Sequence, residues 1–490
     1  MVRVRRYSPI YNTELPEQYL GNPFVEAMPP LMTMKEYFKF SAYLPDFDPT
    51  RVNDSAELRK VKIAEVYKYF VPSTHIYRLY MTLWRMLFST YTDRNSFDVE
   101  HVRKQYSLLL LKQDMDEDWE GTTGESLLLT APSGYGKTIM TKRVLKSFPQ
   151  VLQHTEYNEQ PFNQAQVLWI YLKISSNANR KSLCHLFLEE VDKCVGTDYA
   201  KTTSVSTQIG KYEAIFRTII ETYKIGMLVV DEMQNLSVCK AGGDKEFLNF
   251  FSELSEQWQM GLVLVGTPDI MPILQKSFTA TRRLTSGGDM HFQRYTQNDP
   301  IWEGLVKTLW RYQYVTNAET LYDDNRKIVN TELFNDIYSL TQGIPFVFVF
   351  LFINAQFIAI DRAGRRTLEQ LDKSALREAY NSSSRLIKCA IEDIKSTGGK
   401  NYADLMQQVL IKDAPEKIAF IVKLESLLSK RTLSPKEATE IRKEIEAVEE
   451  KYVLNDEEMK IIERIKASKL LQCCEQSQGE VIDGQFEVVN

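Results

Sequence analysis

Short apolar runs, each closed by a polar or glycine-rich turn, recur through the first half of the chain. Four stand out: Ser126-Leu127-Leu128-Leu129-Thr130, Val167 to Ile174, Met227-Leu228-Val229-Val230 and Leu262-Val263-Leu264-Val265-Gly266. Apolar throughout and bounded by turn signals, such runs predict strands buried on both faces, as in a parallel sheet. Mixed aromatic and polar residues from Met290 to Thr296 predict a fifth strand. Helical periodicity fills the intervals, with residues 149–166 left as an irregular stretch. A helical pattern from Val61 is broken at Phe70-Val71-Pro72-Ser73-Thr74-His75, where Ser73 or Thr74 caps a helix from Ile76 to Leu87.

The second half reads as helical. Trp302–Tyr312 and Thr331–Thr341 are amphipathic, and Gln342-Gly343-Ile344-Pro345 breaks the chain before an apolar run from Phe346 to Ile353 that Asn354 closes. That run is too short to span a bilayer and predicts a buried helix. Residues 397–403 read as a linker. Three charged helices follow, opening at Asp413, at Ser434-Pro435-Lys436-Glu437 (a capping box with Pro at N1) and at Asn455. The polar tail from Glu475 is expected to be disordered. At the other end, residues 1–60 are rich in Pro and Tyr. Asn22-Pro23-Phe24-Val25-Glu26-Ala27-Met28-Pro29-Pro30-Leu31 predicts extended chain, either docked on a partner or strapped onto its own domain. The expected partition is therefore 1–60, an extended partner-docking segment; 61–300, an α/β core; 301–396, a helical lid; 404–472, a helical partner-binding region; and 475–490, a tail.

Composition narrows the function classes. With 490 residues, 43% hydrophobic and 26% charged, the chain suits a multidomain globular protein. A net charge of −5 supplies no bulk attraction to nucleic acid, so any such contact is local. The six cysteines show no metal-ligand spacing and predict reduced thiols in the cytoplasm. The basic N-terminus lacks the apolar stretch of a signal peptide.

The chemistry concentrates at the strand ends. After the first strand comes Ala131-Pro132-Ser133-Gly134-Tyr135-Gly136-Lys137-Thr138, followed by a helix beginning at Ile139. Strand, glycine-rich loop and helix is the context of a phosphate-binding loop. The loop from Pro132 to Ile139 cradles phosphate with the N–H groups that follow Pro132, Lys137 reaches the β and γ phosphates, and Thr138 binds Mg²⁺. Ala131 replaces the usual glycine at the first position. The third strand ends in Asp231-Glu232: Asp231 for the Mg²⁺ shell, Glu232 to deprotonate water. Thr267, at the tip of the fourth strand, is a candidate for the γ-phosphate or the water, or an N-cap. Arg282-Arg283 follow as candidate arginine fingers for a neighbouring subunit, the alternative being a solvated helix end. A small GTPase would show a guanine motif and a nucleotide kinase would lack the acidic pair. A helicase core of the RecA type usually lacks a separate lid.

This order of motifs is that of AAA+ ATPases: five parallel strands between helices, then a helical lid. Within that class, Leu228 to Ser237, Phe247-Leu248-Asn249-Phe250-Phe251, Val265-Gly266-Thr267-Pro268, Arg282-Arg283 and the Asn22–Leu31 segment resemble TnsC, the regulator of bacterial cut-and-paste transposons. The resemblance covers about residues 20–380 and fades beyond. It implies ATP and Mg²⁺ as cofactors, a homo-oligomeric ring or filament of six or seven subunits around duplex DNA, and TnsA and TnsB transposase subunits as partners. A TnsD/TniQ-type targeting protein, possibly with a CRISPR effector, completes the set. It also implies DNA contacts in pore loops, for which the matching residues are Lys173, Asn179, Arg180 and Lys181, and secondly Lys201, Thr202 and Thr203. One departure is that Phe346 stands where many AAA+ lids carry a nucleotide-sensing arginine. The competing expectations are a replication initiator or loader that opens DNA, and a nucleotide-dependent scaffold with negligible turnover.

Overall fold

The computed structural model describes residues 6–92, 94–99, 102–103, 124–175, 179–204, 207, 209–238, 250–251, 260–274, 278–325, 327–363, 368–382, 385–398, 402, 404, 420, 423–424, 435–451 and 456–467. Eight strands carry the argument: β1 (Arg6–Tyr7), β2 (Ser126–Thr130), β3 (Val151–Tyr157), β4 (Gln160–Val167), β5 (Trp169–Lys173), β6 (Met227–Asp231), β7 (Gly261–Gly266) and β8 (Gly288–His291).

The apolar runs form one five-stranded sheet in the order β5-β6-β7-β2-β8, with every pairing parallel. Its strands lack polar alternation because both faces are covered. On β2, Leu127 and Leu129 enter one apolar cluster and Leu128 the other; on β7, Val263 and Val265 oppose Leu262 and Leu264 in the same way. Helices Arg180–Val195 and Ile209–Thr222 cover one face. Helix Thr74–Thr92 and the phosphate-loop helix Lys137–Leu145 lie on the other, continuous with the apolar core of the lid. The fifth strand begins at Gly288, earlier than its aromatic residues suggest, and it borders β2.

Two stretches differ from the sequence expectation. Residues 151–157 and 160–167 are not irregular: they form an antiparallel hairpin, extended by the parallel pairing of β1 with β3. Its tight turn is Asn158-Glu159, both at positive φ, 49° and 62°. Polar side chains along both strands hide this hairpin from a reading of apolar runs, although His154 and Gln166 are fully buried and hydrogen-bonded to each other.

The Asn22–Leu31 segment is not extended throughout. Pro23–Glu26 is a short helix with Pro23 at its first position and the Asn22 side chain accepting from the Phe24 and Val25 N–H groups. Proline stops a helix interior but is suited to its start, which is why the extended expectation failed here. Phe24, Val25 and Met28 are buried in the core of the chain's own domain. Asn22 donates to the Tyr91 carbonyl, and Glu26 accepts from Tyr157 and the Gly21 N–H.

Residues up to Gln407 make one compact unit, holding the N-terminal segment, the sheet and the lid together. The lid is built from helices Pro300–Leu309, Thr331–Thr341, Pro345–Ala363, Lys373–Ser382 and Arg385–Thr397. The apolar run at Phe346 does not stop at Asn354. That side chain turns back to donate to the Phe350 carbonyl, and the helix continues to Ala363. This helix is long and apolar enough to cross a membrane by length and composition alone, but half of it is buried among lid neighbours such as Trp302 and Trp310.

The second unit, Gln408–Asn490, contains helices Pro435–Lys451 and Asp456–Ala467 around a small core that includes Phe420, Leu424, Ile441 and Ile462. The helix expected at Asp413, the Ser434 cap and the tail from Glu475 lie outside the described residues.

Candidate functional site

The tips of β2, β6 and β7 meet at one cavity of about 740 Å³. The phosphate loop forms its floor. Gly134 and Gly136 have φ of 77° and 102°, conformations that side-chain-bearing residues rarely adopt. These turns lead the chain into helix Lys137–Leu145, whose unpaired N–H groups face the loop. Ser133, Gly134, Tyr135, Gly136, Lys137, Thr138 and Ile139 all line the cavity. Pro132 contributes its carbonyl: the Lys137 ammonium donates to Ala131 O at 2.7 Å and Pro132 O at 3.1 Å. Burial pulls Lys137 down to about 8, against the charges of Asp231, Glu232, Asp269 and Asp404. The Ser133 N–H donates to the Asp404 carbonyl at 2.9 Å, so residue 404 reaches the rim of the loop. Tyr135 points inward; its hydroxyl is 2.5 Å from His75 Nδ1, and its ring packs against Phe292 and Tyr295.

The acidic pair lies beside the loop. Thr138 Oγ1 donates to Asp231 Oδ2 at 2.7 Å, and the Tyr171 hydroxyl donates to the same oxygen at 2.7 Å. Burial and the Asp231 hydrogen bond push the Tyr171 phenol well above its ordinary range, so it remains a donor. A hydroxyl and a carboxylate oxygen, already adjacent, form a hard-oxygen donor set that suits Mg²⁺. Thr138 and Asp231 would hold the ion, which would neutralise phosphate charge when bound. Glu232 has φ of 64°, and its N–H donates to Asp231 Oδ1. Its carboxylate is engaged at both oxygens: Lys173 lies 3.6 Å from Oε1, and Gln234 Nε2 donates to Oε2 at 2.5 Å.

Thr267 lines the cavity, but its hydroxyl donates to Asp269 and caps no helix turn. Its N–H donates to Gln234 Oε1 at 3.3 Å. Arg282 and Arg283 sit in helix Phe278–Leu284 and do not line the cavity. Arg282 is exposed and Arg283 half-buried.

The upper wall of the cavity went unrecognised in the sequence. Phe70, Val71 and Pro72, Ile301 and Leu305 of the lid, and Phe346 make an apolar compartment beside the phosphate loop. The break at residues 70–75 reads as a helix cap and nothing more until the lid is folded over it. Lid and loop are joined directly: the Phe346 N–H donates to the Gly134 carbonyl at 3.1 Å. Phe346 is thus a wall and a backbone contact in place of a lid arginine.

The two groups of DNA candidates are not one patch. Lys173 ends β5, Asn179 caps helix Arg180–Val195, and Arg180 and Lys181 begin it. Lys201, Thr202 and Thr203 lie past its other end, with Lys201 paired to Asp198 at 2.5 Å and the Thr202 hydroxyl donating to backbone carbonyls. The second group is held against the C-terminal part of that helix, where the Tyr199 and Ala200 N–H groups donate to Asp192. Residues 176–178 lie outside the described set.

A match to known families corresponds to this geometry: residues 121–274 fit the family described as AAA domain. The match spans less than half of the chain. Its architecture is the AAA+ P-loop fold, and AAA domains are a family of nucleotide-hydrolysing modules. The match takes in the phosphate loop, Asp231, Glu232 and Thr267, and ends before Arg282 and the lid. Solved structures similar to the chain include Cdc6p from Pyrobaculum aerophilum (14% identity, 75% of this chain and 85% of that one, TM-score 0.35). They include also a Walker-type ATPase of Pyrococcus abyssi (14%, 76% and 89%, TM-score 0.36) and the ORC2 protein of Aeropyrum pernix (10%, 68% and 76%, TM-score 0.34). No curated protein matches the sequence.

Proposed function

We propose that the chain is an ATP-hydrolysing, duplex-DNA-binding regulator of transposition of the TnsC type. It oligomerises on target DNA, links a target-selecting protein to the TnsA–TnsB transposase, and leaves DNA after hydrolysis. The observation that carries the ATPase part is the convergence of Lys137, Thr138, Asp231 and Glu232 on one cavity of nucleotide size. Water attacks the γ-phosphorus, its proton passes to Glu232, and the bond to the ADP oxygen breaks. Lys137 holds the phosphates, while the apolar compartment of Val71, Ile301 and Leu305 suits a base. Arg282 and Arg283, which do not line this cavity, would serve a neighbour's site in the oligomer. Support for the transposition part is the TnsC-like run Leu228–Ser237 together with the Asn22–Leu31 segment, which lies outside any generic ATPase motif.

ATP turnover with and without duplex DNA is the test. The expected result is turnover in the intact protein, loss of nucleotide binding in Lys137→Ala, and a fall of about a hundredfold or more in Glu232→Gln with binding retained. Glu232→Gln is expected to stay on DNA once assembled. Normal hydrolysis by that variant would overturn the assignment of the base. Arg180→Ala with Lys181→Ala should weaken DNA binding and lower its salt dependence by about 1.8 in log–log slope, while ATP affinity holds. Strand separation by the purified protein would instead indicate an initiator or loader.

A further inference from the structure

We propose that Gln234 is a positioning residue that couples the tip of β7 to the carboxylate of Glu232. This role rests on the ATPase reading above and adds a residue that no motif there assigns. The Gln234 side chain spans two strand ends. Nε2 donates to Glu232 Oε2 at 2.5 Å, and Oε1 accepts from the Thr267 N–H at 3.3 Å. Both partners dictate the orientation of the amide: a carboxylate only accepts and a backbone N–H only donates. Neither a carboxylate nor an apolar side chain of equal length satisfies both ends.

The surroundings leave little else free to move. The Glu232 backbone is pinned by its N–H to Asp231 and held at positive φ. The tips of β6 and β7 are in close contact: a Cβ added to Gly266 would lie 3.2 Å from Met233 Cβ and 3.4 Å from Gln234 Oε1. The Glu232 side chain is the adjustable part, with Lys173 on one oxygen and Gln234 on the other. Glu232, Gln234 and Thr267 all line the cavity where the γ-phosphate would sit. Displacement of the Thr267 backbone by a bound phosphate therefore reaches Glu232 through one amide. Gln234 itself takes no proton and forms no bond.

The experiment uses the full chain with Gln234→Glu and Gln234→Met. Gln234→Glu keeps the length and an acceptor for Thr267 but sets a second negative charge against Glu232. Binding of a fluorescent ATP analogue should stay within about threefold of wild type, while turnover at pH 7 falls by about tenfold or more. The effect should therefore fall on kcat and leave the KM for ATP within about threefold. Gln234→Met should show the same split between kcat and KM, and its melting temperature reports whether the fold survives. Wild-type kcat in both folded variants would overturn the role of Gln234 alone. An intact chain without turnover would overturn the ATPase reading and this role together.

Discussion

At the Asp231 carboxylate, two hydroxyls converge on one oxygen, from Thr138 in the phosphate loop and Tyr171 in β5. The parallel register sets Lys173 opposite Asp231, which leaves Tyr171 two residues back on the same face of β5 and within reach. With Asp231 proposed as a Mg²⁺ ligand, Tyr171 would orient it without itself binding the ion. Tyr171→Phe is therefore expected to raise the Mg²⁺ concentration needed for half-maximal nucleotide binding by about tenfold or more, leaving the melting temperature unchanged. A titration with and without Mg²⁺ checks this, and unchanged Mg²⁺ dependence would remove Tyr171 from the site. Lys137 and Thr138 were legible as cavity-lining residues because one local loop places both. Tyr171, Gln234 and the Lys173–Glu232 pair were not, because each acts across a strand-to-strand contact that no spacing along the chain encodes.

At the scale of elements, the junction of lid and sheet depends on a glycine. Gly343 has φ of 70°, and a Cβ there would lie 1.9 Å from the Tyr295 carbonyl oxygen, a backbone atom. Its own carbonyl accepts from the Tyr295 N–H. Gly21 also has positive φ, 83°, but nothing lies within 4 Å of its Cβ position. Gly21→Ala is expected to cost about 1–2 kcal/mol from backbone conformation alone. Gly343→Ala should cost clearly more, since the 295 backbone must move, and should weaken nucleotide binding through the adjacent Phe346–Gly134 contact. Denaturant melts of both variants provide the comparison; equal losses would mean that the junction tolerates repacking. The sequence marks the break at Gly343 but not its reason, which is the approach of a segment far away along the chain.

At the scale of the whole molecule, the N-terminal segment and the lid are clamped together across 310 residues by Arg59 and Glu369, both buried. Arg59 also donates to the Tyr314 carbonyl, and Glu369 accepts from the Thr316 N–H. Burial pushes Glu369 up, but the hydrogen bonds from Arg59 and Thr316 and the guanidinium charge outweigh it and leave the carboxyl below its ordinary value. A depressed carboxyl stabilises the fold fully above its unfolded value of 4.5, and that contribution is lost as pH falls through the lower folded value. Arg59→Met should therefore cost about 3–5 kcal/mol at pH 7. The deficit relative to wild type should shrink in acid, where Glu369 is neutral in the variant. A constant deficit from pH 7 to pH 3 would show that packing, and not charge, makes the clamp.

By itself the sequence determined the parallel sheet, the phosphate loop, the acidic strand tip and the helical lid. Each is written in residues close together in the chain: an apolar run between turns, glycines at positive φ, a helix start. Tertiary structure alone decided which strands adjoin, and with that the partners of Asp231 and Glu232. It also decided that polar residues 151–167 pair as a hairpin, that the Asn22–Leu31 segment packs into its own core, and that the second group of basic candidates is tied back to Asp192. The physical reason is the same throughout. Local pattern specifies which surfaces must be buried, whereas the identity of the burying surface depends on contacts between different elements, which no local pattern encodes.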